Sequence, residues 1–201
     1  MKNIKFLPWV GSNYQRGISG KRVLILGDSH YCARLSDATP QLTQNIIEDL
    51  FDSSSAFEHY KNTYTKFERS LAGHEIDQSD KRGKRKVWND VMFYNYVQEA
   101  LSGPREAPSA RQFSASEAPF FEVLNHYKPH KIIAWGTRLY NHLPQKGKQL
   151  PDLVDHSNTP HEVWSYTLNN GQTVEVIQCV HPSAGFSWDY WHEVFKQFIN
   201  R

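Results

Sequence analysis

Three polar segments, far apart in the chain, combine the side-chain types that cleavage of a base–sugar bond requires. Breaking such a bond builds positive charge on the sugar and negative charge on the departing base. The reaction needs a carboxylate near the sugar, a donor beside the base oxygen, and an amide that reads the base edge. Asp28, His181 and Asn95 supply these three types. Asp28 and His181 are therefore predicted to be catalytic, and Asn95 to bind the base.

Neighbouring residues indicate how a base and its strand would be held. Ser29 and Tyr31 follow the carboxylate and are predicted to contact the base, with Tyr31 as an aromatic wall for a base that has left the duplex. Residues 77–86 contain five basic residues around a glycine and are predicted to form an exposed loop. Lys84 and Arg85 in this loop are predicted to contact DNA phosphates and make binding sensitive to salt.

Each candidate also has a structural alternative. Asp28 could cap backbone N–H groups of its own loop, and Asn95 could satisfy a neighbouring backbone group. His181, which precedes a proline, could be a hydrogen-bonded loop residue, and Tyr31 could pack against the core. The basic run could simply be solvated. Spacing alone leaves the function open.

The elements that must position these residues follow from the apolar pattern. Strands are predicted at residues 22–27, 91–97, 131–135, 162–168 and 173–180. The runs at 22–27 and 131–135 do not alternate, which is typical of strands covered on both faces of a parallel sheet. The last two strands flank Asn169-Asn170-Gly171, a strong hairpin signal.

Helices are predicted between and after these strands. The first begins at Thr39-Pro40, the second spans residues 56–72, the third follows a capping box from Ser114 to Glu117, and the fourth follows Gly136. The last helix closes the chain, and its apolar face contains Trp191, Val194, Phe195, Phe198 and Ile199. Residues 1–20 are expected to be an N-terminal arm, 102–113 a loop and 144–160 irregular. Alternating strands and helices predict an α/β fold, a largely parallel sheet with helices on both faces. Ligands in such sheets bind at the carboxyl ends of strands, where the polar segments lie.

Length and composition narrow the class of protein. The 201 residues, 39% of them hydrophobic, suit one domain, and a formal charge of +2 gives no global attraction to nucleic acid. Cys32 and Cys179 are too few for a disulfide framework or an iron–sulfur site, so no cofactor or metal is expected. The first residues lack the apolar core of a signal peptide, and no run of ~20 apolar residues predicts a membrane span. A cytoplasmic monomer is expected.

The motifs, taken in order, resemble the uracil-DNA glycosylase superfamily. VLILGDSHY at 23–31 is similar to its first motif and HPS at 181–183 to its second. FYNYV at 93–97 looks like the strand whose Asn reads the base, and IIAWG at 132–136 resembles a later strand. The loop at 102–113, the helix after it and Lys128-Pro129 also follow the order of the bacterial branches, so the likeness covers about residues 21–198.

This resemblance implies a three-layer α/β/α fold and a monofunctional DNA glycosylase that removes a flipped base from DNA, in repair or in defence against phage. Asp28 takes the carboxylate role and His181 the electrophile role. Ser183 would contact backbone or phosphate, and Phe186 or Trp188 would enter the duplex. The chain has Ser29 where the best-known branch has its catalytic Asp, and His30 where Pro is usual, so the base could be uracil or another modified base.

Three other classes of function stay open. Leu26-Gly27-Asp28-Ser29 resembles the nucleophile block of SGNH esterases, in which Ser29 would attack an ester with His192 as base and Asp189 as its orienting acid. That family's Gly-x-Asn-Asp block has no clear counterpart. The second alternative is a non-catalytic nucleic-acid-binding module on the same scaffold, which would bind DNA without an abasic product. The third is a wholly structural partner protein.

Overall fold

One mixed sheet runs through the centre of the molecule. The computed structural model describes residues 2–103 and 106–201, and within them seven strands form this sheet. The strands are β1 (Trp9–Val10), β2 (Val23–Gly27), β3 (Met92–Asn95), β4 (Lys131–Trp135), β5 (Lys148–Val154), β6 (Pro160–Thr167) and β7 (Thr173–Cys179).

The helices lie between these strands and after the last one. They are α1 (Leu42–Phe51), α2 (Lys61–Ala72), α3 (Lys81–Asn89), α4 (Ala110–Ala115), α5 (Glu117–Tyr127), α6 (Thr137–Asn141) and α7 (Trp188–Asn200), with a short 3₁₀ turn at Leu35–Asp37.

The strand order is β1-β3-β2-β4-β7-β6-β5. The four strands β3, β2, β4 and β7 are parallel, whereas β1, β6 and β5 pair antiparallel with their neighbours. The predicted α/β class is confirmed, but three of the six pairings are antiparallel, so the sheet is mixed rather than largely parallel. β2 and residues 132–135 of β4 are continuous apolar runs because both faces of these strands are covered.

Two apolar cores sandwich the sheet. Successive strand residues point to opposite faces, so Val23 and Ile25 join one core and Leu24 and Leu26 the other. The first core includes side chains of α1, α2, α3 and α7, and the second includes side chains of α4, α5 and α6. The molecule therefore has three layers, with helices on both faces of the sheet.

The connections that follow β2 and β3 lie on opposite faces of the sheet. The segment from β2 to β3 carries α1, α2 and α3 on one face, and the segment from β3 to β4 carries α4 and α5 on the other. Because β3 and β4 lie on opposite sides of β2, their helices diverge at the carboxyl end of β2 and leave a crevice there. This crevice is where the fold would hold a ligand.

Several local predictions are confirmed. The strands at β2, β3 and β4 lie within the predicted ranges, and β6 and β7 form the predicted antiparallel hairpin. All five apolar residues predicted for the C-terminal helix are buried in α7.

Three local predictions are wrong. Residues 77–86 are not an exposed loop, because α3 begins at Lys81 with the Asp80 side chain accepting from the Gly83 N–H. The capping box joins Ser109 and Gln112 and starts α4 inside the predicted loop at 102–113. Residues 144–160 contain β5, an edge strand of mostly exposed residues.

The N-terminal segment is tied to the sheet. β1 pairs with β3, and Phe6 and Tyr14 are buried. In the described ranges, no helix combines the length and the apolar character needed to cross a membrane.

Candidate functional site

A cavity of about 720 Å³ opens at the carboxyl edge of the parallel strands. The structure brings six of the predicted residues together in its lining: Asp28, Ser29, Tyr31, Asn95, His181 and Ser183. Asp28 follows β2, Asn95 ends β3 and His181 follows β7, so the sheet register alone carries the three segments to one edge.

Backbone hydrogen bonds continue the sheet past its last residues and fix the loop that carries Asp28. The Tyr96 N–H donates to the Gly27 carbonyl and the Val97 N–H to the Asp28 carbonyl, both at 2.9 Å. Further along, the Leu101 N–H donates to the His30 carbonyl at 2.8 Å. The loop is therefore held against the segment that follows β3, and its side chains have little freedom.

Asp28 forms an ion pair with Arg138 in the first turn of α6. Nε of Arg138 donates to Oδ2 of Asp28 at 2.8 Å, and a second guanidinium nitrogen lies 2.5 Å from the same oxygen. Oδ1 is buried and accepts no hydrogen bond from any described residue. One carboxylate oxygen is thus held in place, and the other is left for a ligand or a water molecule.

His181 is held in one tautomer by Ser183. The Ser183 backbone N–H donates to Nδ1 of His181 at 3.2 Å, and the Ser183 hydroxyl lies 2.7 Å from the same nitrogen. A backbone N–H can only donate, so Nδ1 is unprotonated and Nε2 carries the hydrogen. Burial lowers the pKa of His181, Asp28 raises it in part, and Arg138 lowers it again. The ring is a neutral donor at neutral pH.

Asn95 is oriented by a second, fully buried histidine. Nδ2 of Asn95 lies 3.1 Å from Nδ1 and 3.2 Å from Nε2 of His30, and Nε2 also lies 2.8 Å from the Thr43 hydroxyl. Burial lowers the pKa of His30 to about 3, so the ring accepts from Asn95 as a neutral group. Asn95 also lines the cavity, and its amide carries both donor and acceptor atoms of the kind that can read a base edge.

Gly27 makes the space that Asn95 occupies. A Cβ atom on Gly27 would lie 2.0 Å from Oδ1 of Asn95 and 3.0 Å from Cζ of Phe93. A larger residue at this position would therefore force the Asn95 amide to move.

Two further polar atoms at the cavity have no protein partner within the described residues. They are the Ser29 hydroxyl and the indole Nε1 of Trp135, and both are buried. A buried donor without a partner costs free energy, and such atoms usually bind a ligand or a water molecule. Together with Oδ1 of Asp28, they show that the cavity lining can form more hydrogen bonds than the protein itself satisfies.

Aromatic rings form the apolar wall. Tyr64, Phe93 and Trp135 contact one another with centroids 5.3 to 5.7 Å apart, and the Trp135 ring meets His181 at 5.9 Å. Tyr31 lies at the rim and is 40% exposed. The wall fits a flat ring, because aromatic faces and edges pack well against one another.

A further part of the lining comes from the segment before α2 and from α2 itself. It contains Glu58, His59, Tyr60 and Thr63. Sequence reasoning missed these residues, and also Trp135 and Arg138. For the last two a signal existed, since they end β4 and open the helix after it, the same strand-end position that identified Asp28.

The predicted DNA contacts outside the cavity are in part wrong. Lys84 is fully buried, and its Nζ lies 2.6 Å from Oε2 of the equally buried Glu68. It cannot reach a phosphate. Arg85 is exposed, with its guanidinium 4.4 Å from the centre of the Phe51 ring, so its predicted DNA contact stays a prediction.

The predicted wedge residues do not protrude. Phe186 is buried in the core and stacks on Trp191 with their rings nearly parallel. Trp188 is half-buried at the start of α7 and packs against the same core. The loop after His181 therefore turns its large aromatic residues inward.

The residues proposed for a serine esterase are not assembled. His192 uses Nδ1 in a contact with the Ser70 carbonyl at 3.0 Å, and Asp189 accepts from the Ser187 hydroxyl. Neither lines the cavity that contains Ser29.

Within the described residues, no group of three or more His, Cys, Asp or Glu side chains is arranged to hold a metal ion. Cys32 and Cys179 are both buried free thiols, and burial raises the pKa of each.

The chain was also compared with known proteins. No protein-family model matches it, and no curated protein matches it.

Proposed function

We propose that the protein is a monofunctional DNA glycosylase-like hydrolase that cleaves the N-glycosidic bond of a flipped uracil or other modified base. One observation carries the proposal: a buried carboxylate oxygen of Asp28 without a partner and the neutral Nε2–H donor of His181 belong to the lining of a single cavity. These are the two groups that must flank a breaking base–sugar bond, one for each developing charge.

The reaction would divide between the two residues. Oδ1 of Asp28 accepts a hydrogen bond from a water molecule and stabilises the positive charge that develops on the sugar. The bond from the sugar carbon to the base nitrogen breaks, and its electron pair stays on the base. The water oxygen bonds to the sugar carbon, and the water gives up one proton to Oδ1 of Asp28, which releases it to solvent. His181 donates to the base oxygen and stabilises the anion until solvent protonates it.

Recognition of the base would depend on Asn95 and the aromatic wall. The amide of Asn95 fits the edge of a base, and Tyr64, Phe93 and Trp135 fit its ring. The cavity lining contains no lysine among the described residues, so no amine is in position to form a Schiff base. A hydrolytic reaction that leaves an intact abasic site agrees with this lining.

The size of the cavity bears on the choice of substrate. A volume of about 720 Å³ falls in the range of sites that enclose a drug-sized molecule, roughly 300–1,000 Å³. It has room for a base together with its sugar, or for a base that carries a substituent. The substrates tested should therefore extend beyond uracil.

The test is base release from defined DNA. Single-stranded and duplex oligonucleotides carrying uracil and a panel of modified bases, and phage-modified DNA, are incubated with the protein, treated with alkali and separated on a gel. We expect strand breaks at the modified position that depend on alkali. Asp28→Asn and His181→Ala should each lower the rate by about 10²–10³-fold, the usual effect of removing one charge-stabilising group.

Matched variants control for indirect effects. Asp152→Asn and His156→Ala change the same residue types at exposed positions outside the cavity and should keep the parent rate. If no substrate yields an abasic site, the catalytic proposal is wrong, and salt-sensitive DNA binding alone would then support the binding-module alternative. Base release that is abolished by Ser29→Ala but unchanged by Asp28→Asn would also contradict the proposed roles of these residues.

A further inference from the structure

One residue of the cavity lining, Trp135, has an indole N–H without a partner. It ends β4, is 3% exposed, and its Nε1 donates to no described residue. Among the described residues, four other buried polar atoms also lack a partner, but Tyr94 and Gln178 do not line the cavity and Oδ1 of an ionised Asp28 can only accept. The Ser29 hydroxyl can donate or accept. An indole nitrogen can only donate, so the atom that Trp135 meets must be an acceptor.

Packing alone does not require a nitrogen at position 135. The Trp135 ring meets three other aromatic rings at centroid distances of 4.9 to 5.5 Å, those of Tyr64, Phe67 and Phe93. A phenylalanine would make the same kind of apolar contact without burying a donor. Because an unpaired buried donor lowers the stability of a fold, the indole N–H is better explained by a ligand than by packing.

The sheet register sets Trp135 and Asn95 on either side of Gly27. Gly27 pairs with Asn95 on β3, and Leu26 pairs with Ala134 on β4, so Trp135 comes beside Gly27 one residue further along. Residues at the same register position of parallel neighbours point to the same face of the sheet. Since Gly27 has no side chain, nothing from β2 separates the amide from the indole.

Trp135 is also fixed relative to His181. It pairs with Cys179 on β7, and the N–H of the next residue, Gly136, donates to the Cys179 carbonyl at 2.8 Å. A Cβ atom on Gly136 would lie 3.3 Å from Cβ of His181, so the two segments pass close to each other. The two rings meet edge-on with centroids 5.9 Å apart. β4 and β7 thus hold an indole donor and an imidazole donor next to each other at the cavity.

We infer that Trp135 is a second donor to the departing base, so that its Nε1–H and the Nε2–H of His181 both donate to the base oxygen on which negative charge develops. A carbonyl oxygen has two lone pairs and can accept from both groups. The inference rests on the proposed function, since this charge appears only when the base–sugar bond breaks. Because the charge is larger in the transition state than in the bound substrate, the indole should raise kcat more than it lowers KM.

The first test compares two bases that differ in how well they carry negative charge. Single-stranded oligonucleotides carry the base that the protein releases, uracil for example, or the same base with a fluorine that withdraws electrons and stabilises its anion. Trp135→Phe should lower kcat for the plain base by about 10²-fold, the usual effect of removing one such donor, with KM little changed. The loss for the fluorinated base should be clearly smaller, because its anion needs the donor less.

A second tryptophan provides the matched control. The Trp9 indole donates to the Trp88 carbonyl at 2.8 Å and lies outside the cavity lining. Trp9→Phe therefore removes the same atoms from a position without access to the base. It should keep the parent kcat and the parent ratio of the two rates.

An isosteric replacement separates the N–H from the shape of the ring. Benzothienylalanine at position 135 has sulfur in place of the N–H and keeps the bicyclic ring, so it preserves packing that Trp135→Phe loosens. It should reproduce the loss of kcat and the smaller loss for the fluorinated base. A parent-like kcat, or equal losses for the two bases, would show that the indole only packs and would overturn the inference.

A binding measurement tests the indole apart from catalysis. ¹⁹F NMR of free 5-fluorouracil follows its binding at one pH where the base is neutral and at a higher pH where it is an anion. The parent should prefer the anion, and Trp135→Phe should reduce this preference by about tenfold, the effect of one hydrogen bond to a charged acceptor. A parent without the preference, or a variant that keeps it, contradicts the inference. If the preference is found but no base is released from any DNA, the proposed function is wrong, whereas Trp135 still binds the base as a donor.

Discussion

Arg138 holds one oxygen of Asp28 and leaves the other free. Its Nε donates to Oδ2 at 2.8 Å, while Oδ1 is buried with no hydrogen-bond partner among the described residues. The carboxylate side chain is only 9% exposed, whereas that of Arg138 is 47% exposed and reaches it from the solvent side. The pair behaves as one unit in which the cation orients the anion toward the cavity.

The first prediction tests this unit with a double-mutant cycle. Arg138→Gln should slow base release by about 10–100-fold, because a charge-assisted hydrogen bond of roughly 1.5–3 kcal/mol no longer orients Asp28. Asp28→Asn should lower the rate of base release by a much smaller factor in the Arg138→Gln variant than in the parent, since the two residues act together. Arg34→Gln removes a comparable but exposed partner of Asp37 and serves as the control. Fully additive effects would show that the two residues act separately.

The second prediction concerns the tautomer of His181. Because the Ser183 backbone N–H faces Nδ1, ¹⁵N NMR of the ring should show an unprotonated Nδ1 and a protonated Nε2 at neutral pH. Ser183→Ala keeps the backbone donor and loses only the hydroxyl, so base release should fall by about three- to tenfold, the worth of one ordinary hydrogen bond. A proton found on Nδ1 would contradict the proposed direction of donation toward the base.

Much of the fold could be predicted from the sequence, and the predictions that are wrong have physical causes. The runs at β2 and β4 are apolar on both faces, and Gly171 with its asparagines marks a hairpin, so local pattern and tertiary structure agree there. β5 was missed because it is an exposed edge strand with a bulge, and Pro151 is acceptable only at such an edge. Pattern methods depend on burial, and this strand has almost none.

Only part of the candidate site could be predicted from the sequence, and the reason is different. Asp28, Asn95 and His181 follow or end strands, a position that predicts convergence. Lys84 was misassigned because its partner, Glu68, lies on another helix sixteen residues away, and a buried ion pair leaves no local signature. The His30–Asn95 contact likewise joins residues 65 positions apart, so only the folded chain shows that the histidine serves the amide.

The third prediction is a loss of stability in acid that is caused by His30. Burial lowers the pKa of His30 from 6.5 to about 3, so between these values the unfolded chain binds a proton that the folded chain does not. The unfolded state binds more protons there, and the free energy of unfolding therefore falls as the pH falls, by up to about 1.4 kcal/mol per pH unit. At pH 6.5 the slope is half of its maximum, and by about one pH unit above that value His30 no longer contributes to the pH dependence.

Urea unfolding at a series of pH values measures this effect. His30→Gln should flatten the pH dependence between about pH 6 and 4 by close to one proton, whereas His126→Gln, at an exposed position of α5, should leave it unchanged. An equal slope in His30→Gln and the parent would show that His30 takes up its proton in the folded state as readily as in the unfolded one.

The fourth prediction is that Gly27→Ala damages the site through Asn95. The added Cβ would lie 2.0 Å from Oδ1 of Asn95, so the amide must move and its contact with His30 must change. We expect a cost of about 1–3 kcal/mol in the free energy of unfolding, typical of overpacking a filled core, together with a loss of base release. Gly185→Ala has open space around its Cβ and is the control. A fully active Gly27→Ala protein would mean that Asn95 does not read the base.

The fifth prediction concerns the buried pair of Lys84 and Glu68, which has a structural role. The Lys84 ammonium and the Trp88 indole N–H, 2.7 Å from Oε1, both contact the Glu68 carboxylate. Lys84→Met leaves this carboxylate buried without its cation and should lower the free energy of unfolding by about 3–5 kcal/mol.

Adding Glu68→Gln to Lys84→Met tests the cause of that loss. The second substitution removes the buried charge, and the double variant should recover most of the stability in urea unfolding. Because Lys84 is fully buried, DNA affinity and its salt dependence should be the same for the folded double variant and the parent. Arg85→Ala changes an exposed neighbour of Lys84. If Arg85 contacts a phosphate, the slope of log DNA affinity against log salt concentration should be smaller by about one in this variant. If the slope falls by this amount in the double variant of Lys84 and Glu68 instead, the Lys84 ammonium contacts the DNA, and its assignment to the core is wrong.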